Sequence, residues 1–269
     1  MNKDQVSKVD KAHIPIVIGV NGGTASGKTT FAEKIRDMLL STGHKTVMIS
    51  QDSFYKNLNK EQLLAVEQNN YNFDHPDAID FNAMKRVLKE LVFKGTIQNV
   101  EKNASDKTPS EKLDAEPSEE SSSSSDENNY VEVPIYDFVT HQRSKEVNKV
   151  VPGDSIIIEG LFIFNDPELR SLMNIKLFVD VDDDTRLARR IRRDIMSRGR
   201  DVNQILESYE KYVKPGYRFF IEPYKRYSDI IVPYGGHNEV AVLMISQYLR
   251  RVEINSDPND SIILSRSKW

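Results

Sequence analysis

Eight residues, Gly22-Gly23-Thr24-Ala25-Ser26-Gly27-Lys28-Thr29, constrain this chain more than any other segment. They match the pattern G-x-x-x-x-G-K-[ST] in full, after an apolar run, Ile14–Val20, and at the start of an amphipathic stretch, Lys28–Leu40. A glycine-rich turn between a buried strand and a helix lets consecutive backbone N–H groups face a phosphate, and the helix dipole adds positive potential there. In such a loop Lys28 reaches the β- and γ-phosphates and the Thr29 hydroxyl reaches Mg²⁺. Gly22, Gly23, Thr24, Ala25, Ser26, Gly27, Lys28, Thr29 and the adjoining Thr30 are therefore the expected nucleotide-binding residues, with ATP or GTP as the ligand.

The rest of the chain repeats the alternation. Thr46–Ser50, Ser155–Ile158, Ile175–Asp180 and Asp229–Pro233 are short apolar runs, separated by helical patterns at Phe81–Val92, Thr185–Arg198 and Val240–Arg250. Runs that are apolar throughout, with helices between them, indicate parallel strands covered on both faces. The expected fold is α/β, a doubly wound five-stranded parallel sheet over residues 14–250, with tails at 1–13 and 251–269. Gly95–Val100 and Val131–Tyr136 read as the two strands of a small hairpin.

Between them lies a segment, 101–129, with a run of five serines, Ser121–Ser125. Its nine acids against three lysines give it a charge of −6, so the rest of a chain whose net charge is −4 carries +2. Such a segment buries too little apolar surface to offset its ordering entropy, which predicts a disordered acidic loop at the hairpin tip. A nearly neutral body argues against nucleic acid as a partner. No apolar run approaches the roughly 20 residues of a membrane span, and the charged start, Met1-Asn2-Lys3-Asp4-Gln5, precedes no apolar signal core. The absence of cysteine removes disulfides, thiol catalysis and cysteine metal sites, and fits a cytoplasmic location.

Two carboxylates occupy the positions where open α/β sheets bind ligands, beyond the carboxyl ends of strands. Asp52 follows the Thr46–Ser50 strand and can accept the proton of an attacking alcohol. Glu159 ends the Ile156–Ile158 strand and can hold Mg²⁺. Seven arginines (186, 189, 190, 192, 193, 198 and 200) fall within 15 residues. Several share a helix face, which suits a phosphate-gripping lid over residues 185–201.

Taken in order, these motifs resemble the uridine–cytidine kinases. The resemblance rests on the phosphate loop, Ser50-Gln51-Asp52-Ser53-Phe54-Tyr55, Asn72-Phe73-Asp74-His75-Pro76-Asp77-Ala78, Val133-Pro134-Ile135-Tyr136-Asp137-Phe138 with His141, Ile158-Glu159-Gly160, and Ser197-Arg198-Gly199-Arg200-Asp201. It implies ATP-dependent phosphorylation of the 5′-hydroxyl of uridine or cytidine by a homotetramer. On that resemblance Asp52 is the base and Asp74 holds the ribose hydroxyls. Tyr136 and His141 read the pyrimidine edge, and Phe73 and Phe138 wall the pocket. Arg190 and Arg200 approach the ribose or phosphates, while Arg193 and Arg198 belong to the closing lid and the nucleotide.

Two positions depart from the pattern: Ser208 stands where relatives commonly have glutamine, and His237 where an aspartate is common beside the adenine. A kinase similar to phosphoribulokinase or pantothenate kinase, and a nucleotide-binding regulatory protein without transfer activity, are the alternatives.

Overall fold

The computed structural model describes residues 14–105 and 129–254. In chain order its main elements are β1 (Ile16–Gly22), α1 (Lys28–Leu40), β2 (Thr46–Ser50), α2 (Lys60–Glu67), α3 (Phe81–Ser105), β3 (Val131–Asp137), β4 (Gln142–Val150), β5 (Ser155–Gly160), α4 (Pro167–Ser171), β6 (Ile175–Asp180), α5 (Asp183–Arg198), α6 (Val202–Ser208), α7 (Lys214–Phe220), β7 (Ile230–Pro233) and α8 (Glu239–Ile254).

β1, β2, β5, β6 and β7 form one parallel sheet in the order β2-β5-β1-β6-β7. β1 and β5 are buried at every residue because neighbours flank them and helices cover both faces. On one face Ile18, Val20, Ile157 and Leu177 meet Phe31, Ile35 and Leu39 of α1 and Val242, Ile245 and Leu249 of α8. On the other, Val17, Ile156, Ile158 and Phe178 meet Met84, Leu88 and Leu91 of α3, together with Val131 and Val133 of β3. The connection after β1 runs toward β2 and the one after the neighbouring β6 runs toward β7, so they diverge and open a crevice at the carboxyl end of β1. The phosphate loop lies there.

The hairpin differs from the expected one. Gly95–Val100 is the middle of α3, not a strand, and α3 continues to Ser105. Glycine and β-branched residues lower helix propensity, but packing overrides it. A Cβ on Gly95 would come 2.6 Å from Pro15 and 3.3 Å from the Gly153 carbonyl, so this glycine admits a close approach. Its neighbour Thr96 bonds back to the Val92 carbonyl. The actual hairpin is β3 with β4, antiparallel, with a register shift between Pro134 and Tyr136. The acidic segment therefore precedes the hairpin and does not interrupt it. β4 (QRSKEVNKV) escapes a periodicity reading because its side chains are mostly exposed and polar.

The first strand begins at Ile16 instead of Ile14. α8 runs to Ile254, so the stretch expected as a tail from residue 251 starts as helix. The tail expected at 1–13, the acidic loop from 106 to 128, and the last residues, 255–269, lie outside the described residues.

Candidate active site

β1 delivers the chain into the phosphate loop, and Gly27, in the left-handed region at φ 85°, begins α1. Among the described residues no side chain caps the amino end of α1, so its first N–H groups remain for a ligand. Ala25 is also left-handed, at φ 56°, and the Ser26 N–H closes the turn on the Gly23 carbonyl at 3.2 Å.

Two strands, β2 and β5, bring carboxylates to this loop. Glu159 is 3% exposed at the end of β5. The Thr29 hydroxyl donates to its Oε2 at 3.2 Å and the Ser50 hydroxyl to its Oε1 at 2.6 Å. Burial raises the Glu159 carboxyl above its ordinary range against the pull of Lys28, with Asp52 adding to the rise. Asp52 sits in the single turn Gln51–Phe54 that caps β2, and its N–H donates to the Ser50 hydroxyl at 3.3 Å. Lys28, Thr29, Ser50, Asp52 and Glu159 thus form one electrostatic unit at the carboxyl ends of β2 and β5.

Beside it lies Asp74, whose carboxyl is raised chiefly by burial, while Arg190, Arg193 and Arg200 draw it down and Asp52 pushes it up. Five aromatic side chains and a histidine close the far side. Phe73 stacks on His141 at 5.0 Å, Tyr55 lies 5.2 Å from Tyr136, and Phe138 lies 5.2 Å from Tyr136. Tyr71 joins edge-on to Phe73 at 4.6 Å. The Tyr136 hydroxyl and His141 Nδ1 are buried and have no hydrogen-bond partner among the described residues, which leaves two directional polar atoms within an aromatic cluster. Burial pushes the Tyr136 hydroxyl up to about 12. Desolvation and then Arg200 hold His141 below its ordinary value. Phe138 is 53% exposed, so it forms the rim and not a wall.

The arginine helix is not exposed along its whole length. Arg186, Arg190 and Asp194 form a buried inner face of α5. Arg190 donates to the Thr24 hydroxyl at 3.1 Å, and Arg193 donates to Asp194 at 2.8 Å, with Arg198 3.5 Å from the same carboxylate. Arg200 makes no side-chain bond of its own among the described residues, but its charge reaches both Asp74 and His141. The Thr30 methyl group lies against Gly236. The Gly235–His237 turn rests on the loop, since a Cβ on Gly235 would come 2.1 Å from the Ser26 carbonyl.

Sequence reasoning missed several participants. Tyr55 lies inside a quoted block but received no role. Asp194, fully buried, organises three arginines. Gly216 lies within a helix yet packs its Cα on Asp74, whose carbonyl would be 2.5 Å from a Cβ there. A Pro215-Gly216 pair inside a helical stretch is the signal that could have found it.

A nucleotide loop on the central strand, carboxylates on two neighbouring strand ends and an arginine helix packed on the loop define the P-loop kinase fold. Solved structures agree on the fold. A putative fructose transport system kinase from Silicibacter sp. TM1040 aligns over 86% of this chain and 93% of its own, at TM-score 0.57 and 15% identity. The phosphoribulokinase from Rhodobacter spheroides aligns over 83% and 71%, at 0.53 and 15%.

Within that class the chain belongs to the phosphoribulokinase/uridine kinase family, whose sequence model matches residues 17–117 and 111–241. The uridine kinase of Ligilactobacillus salivarius is 40% identical over 238 residues, 88% of this chain and 94% of its own. Uridine-cytidine kinase 2-B of Danio rerio is 36% identical over 255 residues, 93% and 85%. The chloroplastic uridine/cytidine kinase UKL1 of Arabidopsis thaliana is 43% identical over 236 residues, 87% of this chain but only 41% of that longer protein.

Proposed function

We propose that this chain is a uridine/cytidine kinase that transfers the γ-phosphoryl of ATP to the nucleoside 5′-hydroxyl, releasing ADP and UMP or CMP. The observation that carries this reading is the adjacency of two units. Asp52, Lys28 and Glu159 interact beside the phosphate loop, and Asp74 with the aromatic box lies within charge reach of Asp52. A nucleoside with its ribose on Asp74 and its base between Phe73, Tyr136 and His141 presents its 5′-hydroxyl to Asp52.

The donor set fits Mg²⁺: the Thr29 hydroxyl and the buried Glu159 carboxylate are hard oxygens meeting at 3.2 Å beside the lysine of the loop. Bound there, the ion would neutralise charge between the β- and γ-phosphates. Asp52 accepts the proton of the attacking hydroxyl. Lys28, Arg193 and Arg198 disperse charge on the transferring group, and Arg190 and Arg200 hold the ribose side. Tyr136 and His141 supply the polar atoms for the pyrimidine edge, and the box excludes larger bases. Because the inner face of α5 is core, closure belongs to its outer end and the turn through Arg200. His237, on the turn that covers the loop, borders the donor base, ATP in this reading. A cytoplasmic homotetramer completes the proposal, and light scattering in solution checks its mass.

Labelled ATP, Mg²⁺ and a panel of uridine, cytidine, adenosine, guanosine, ribulose 5-phosphate and pantothenate test the reading. Label should pass to uridine and cytidine. Transfer to ribulose 5-phosphate or pantothenate alone contradicts it.

A further inference from the structure

Three arginines of α5 reach three residues of the phosphate loop. Arg190 donates to the Thr24 hydroxyl, Arg189 donates to the Ser26 carbonyl at 3.4 Å, and Arg186 lies against Gly23. The third contact differs in kind. Arg186 is 1% exposed, and its guanidinium carbon lies 3.8 Å from the centre of the Tyr217 ring. Its Nε donates to the Val181 carbonyl at 3.0 Å and another nitrogen pairs with Asp183. The remaining nitrogen, NH1, is buried and has no hydrogen-bond partner among the described residues. A Cβ on Gly23 would fall 2.5 Å from that NH1 and 3.0 Å from both the guanidinium carbon and the Tyr217 ring. The guanidinium is therefore pressed between an aromatic face and the backbone of the loop.

A cation buried only to stabilise the fold would use all its donors, because an unpaired buried donor costs free energy. Arg186 keeps one free and directs it at the turn that carries the phosphate-facing N–H groups.

We propose that Arg186 is a positioning residue for the nucleotide: held on Tyr217, Val181 and Asp183, it fixes the Gly22–Gly23 turn and sets a buried positive charge behind it. The inference rests on the kinase reading above. It assigns Gly23 a second reason to be glycine, since any side chain would displace the guanidinium. It also assigns Tyr217 the task of presenting that guanidinium in one plane, a geometry that lysine cannot reproduce.

The test is calorimetric titration of the full chain with ADP plus Mg²⁺ and, separately, with uridine, alongside thermal midpoints. Arg186→Lys keeps the charge and loses the planar fork. It should raise the ADP Kd about tenfold, in the range expected for coupled neighbours, and leave the uridine Kd within about twofold. Gly23→Ala should weaken ADP likewise, and the double variant should be no worse than the worse single one. If Arg186→Lys does not fold, Tyr217→Leu, which removes the ring but keeps the arginine, decides by the same two titrations. An ADP Kd within twofold of the parent, additive losses in the double variant, or equal losses for both ligands in step with a lower midpoint overturn the assignment. A parent protein that binds no ADP overturns the kinase reading instead.

Discussion

The Ser50 hydroxyl donates to Glu159 Oε1 at 2.6 Å while accepting from the Asp52 N–H at 3.3 Å. One small side chain at the end of β2 thereby ties the carboxylate on β5 to the turn that carries the proposed base. It also leaves Glu159 Oε2 for Thr29.

Ser50→Ala should therefore impair turnover without harming nucleoside binding. A hydrogen bond to a charged group is worth about 1.5–3 kcal/mol, so kcat should fall roughly 10–100-fold with the uridine Kd within about twofold. Steady-state kinetics and calorimetry read the two separately. An unchanged kcat rejects the tie.

Asp74→Asn should abolish nucleoside binding yet leave the protein no less stable. The Asp74 carboxyl is raised above 3.8, mainly by burial. The folded chain therefore binds this proton more tightly than the unfolded one does. The group's favourable contribution is present below 3.8 and is lost as pH rises through the raised value. At neutral pH the ionised carboxylate weighs against folding, and asparagine removes that load. The thermal midpoint at pH 7 should stay level or rise, and a clear fall contradicts the assignment.

His141 should titrate below 6.5, because desolvation and then Arg200 disfavour its protonated form. Its contribution to folding is present above 6.5 and is lost as pH falls through the lowered value. Uridine affinity should weaken over the same window, since protonation removes the acceptor and adds charge beside Arg200. An NMR titration of His141 with a midpoint above 6.5, or an acid limb that survives in His141→Gln, contradicts this.

Two left-handed glycines predict opposite consequences for alanine. Gly235 has φ 63° and a would-be Cβ 2.1 Å from the Ser26 carbonyl, so Gly235→Ala should push on the phosphate loop and raise the KM for ATP severalfold. Gly43 has φ 88° and open space around it, so Gly43→Ala should cost only backbone strain, about 1 kcal/mol, with kinetics unchanged. Parallel thermal melts and ATP saturation curves distinguish the two.

Much of this was legible in the sequence because the signals were local. The phosphate loop, the apolar runs of β1, β2, β5 and β6, and Asp52 and Glu159 just past strand ends all follow from short-range pattern. α2 carried an unread signal, the Asn59–Gln62 capping box. The errors arose where distant residues decide. Gly95 looked like a strand boundary, but it is a helical glycine accommodating Pro15 and Gly153. β4 has no apolar rhythm, since its pairing with β3 and not burial fixes it. Arg186 read as one of several lid arginines, yet Tyr217, 31 positions on, makes it core.

The central claim is that Asp52 takes the proton of a nucleoside alcohol beside the phosphate loop, and Asp52→Asn tests it most directly. Turnover of uridine with saturating ATP and Mg²⁺ should fall by about 10²–10⁴-fold, the usual contribution of a general base. The uridine Kd, measured in the same protein, should stay within about threefold of the parent value. A variant that turns over at more than a tenth of the parent rate, or one that loses uridine binding in proportion to its rate, contradicts the account.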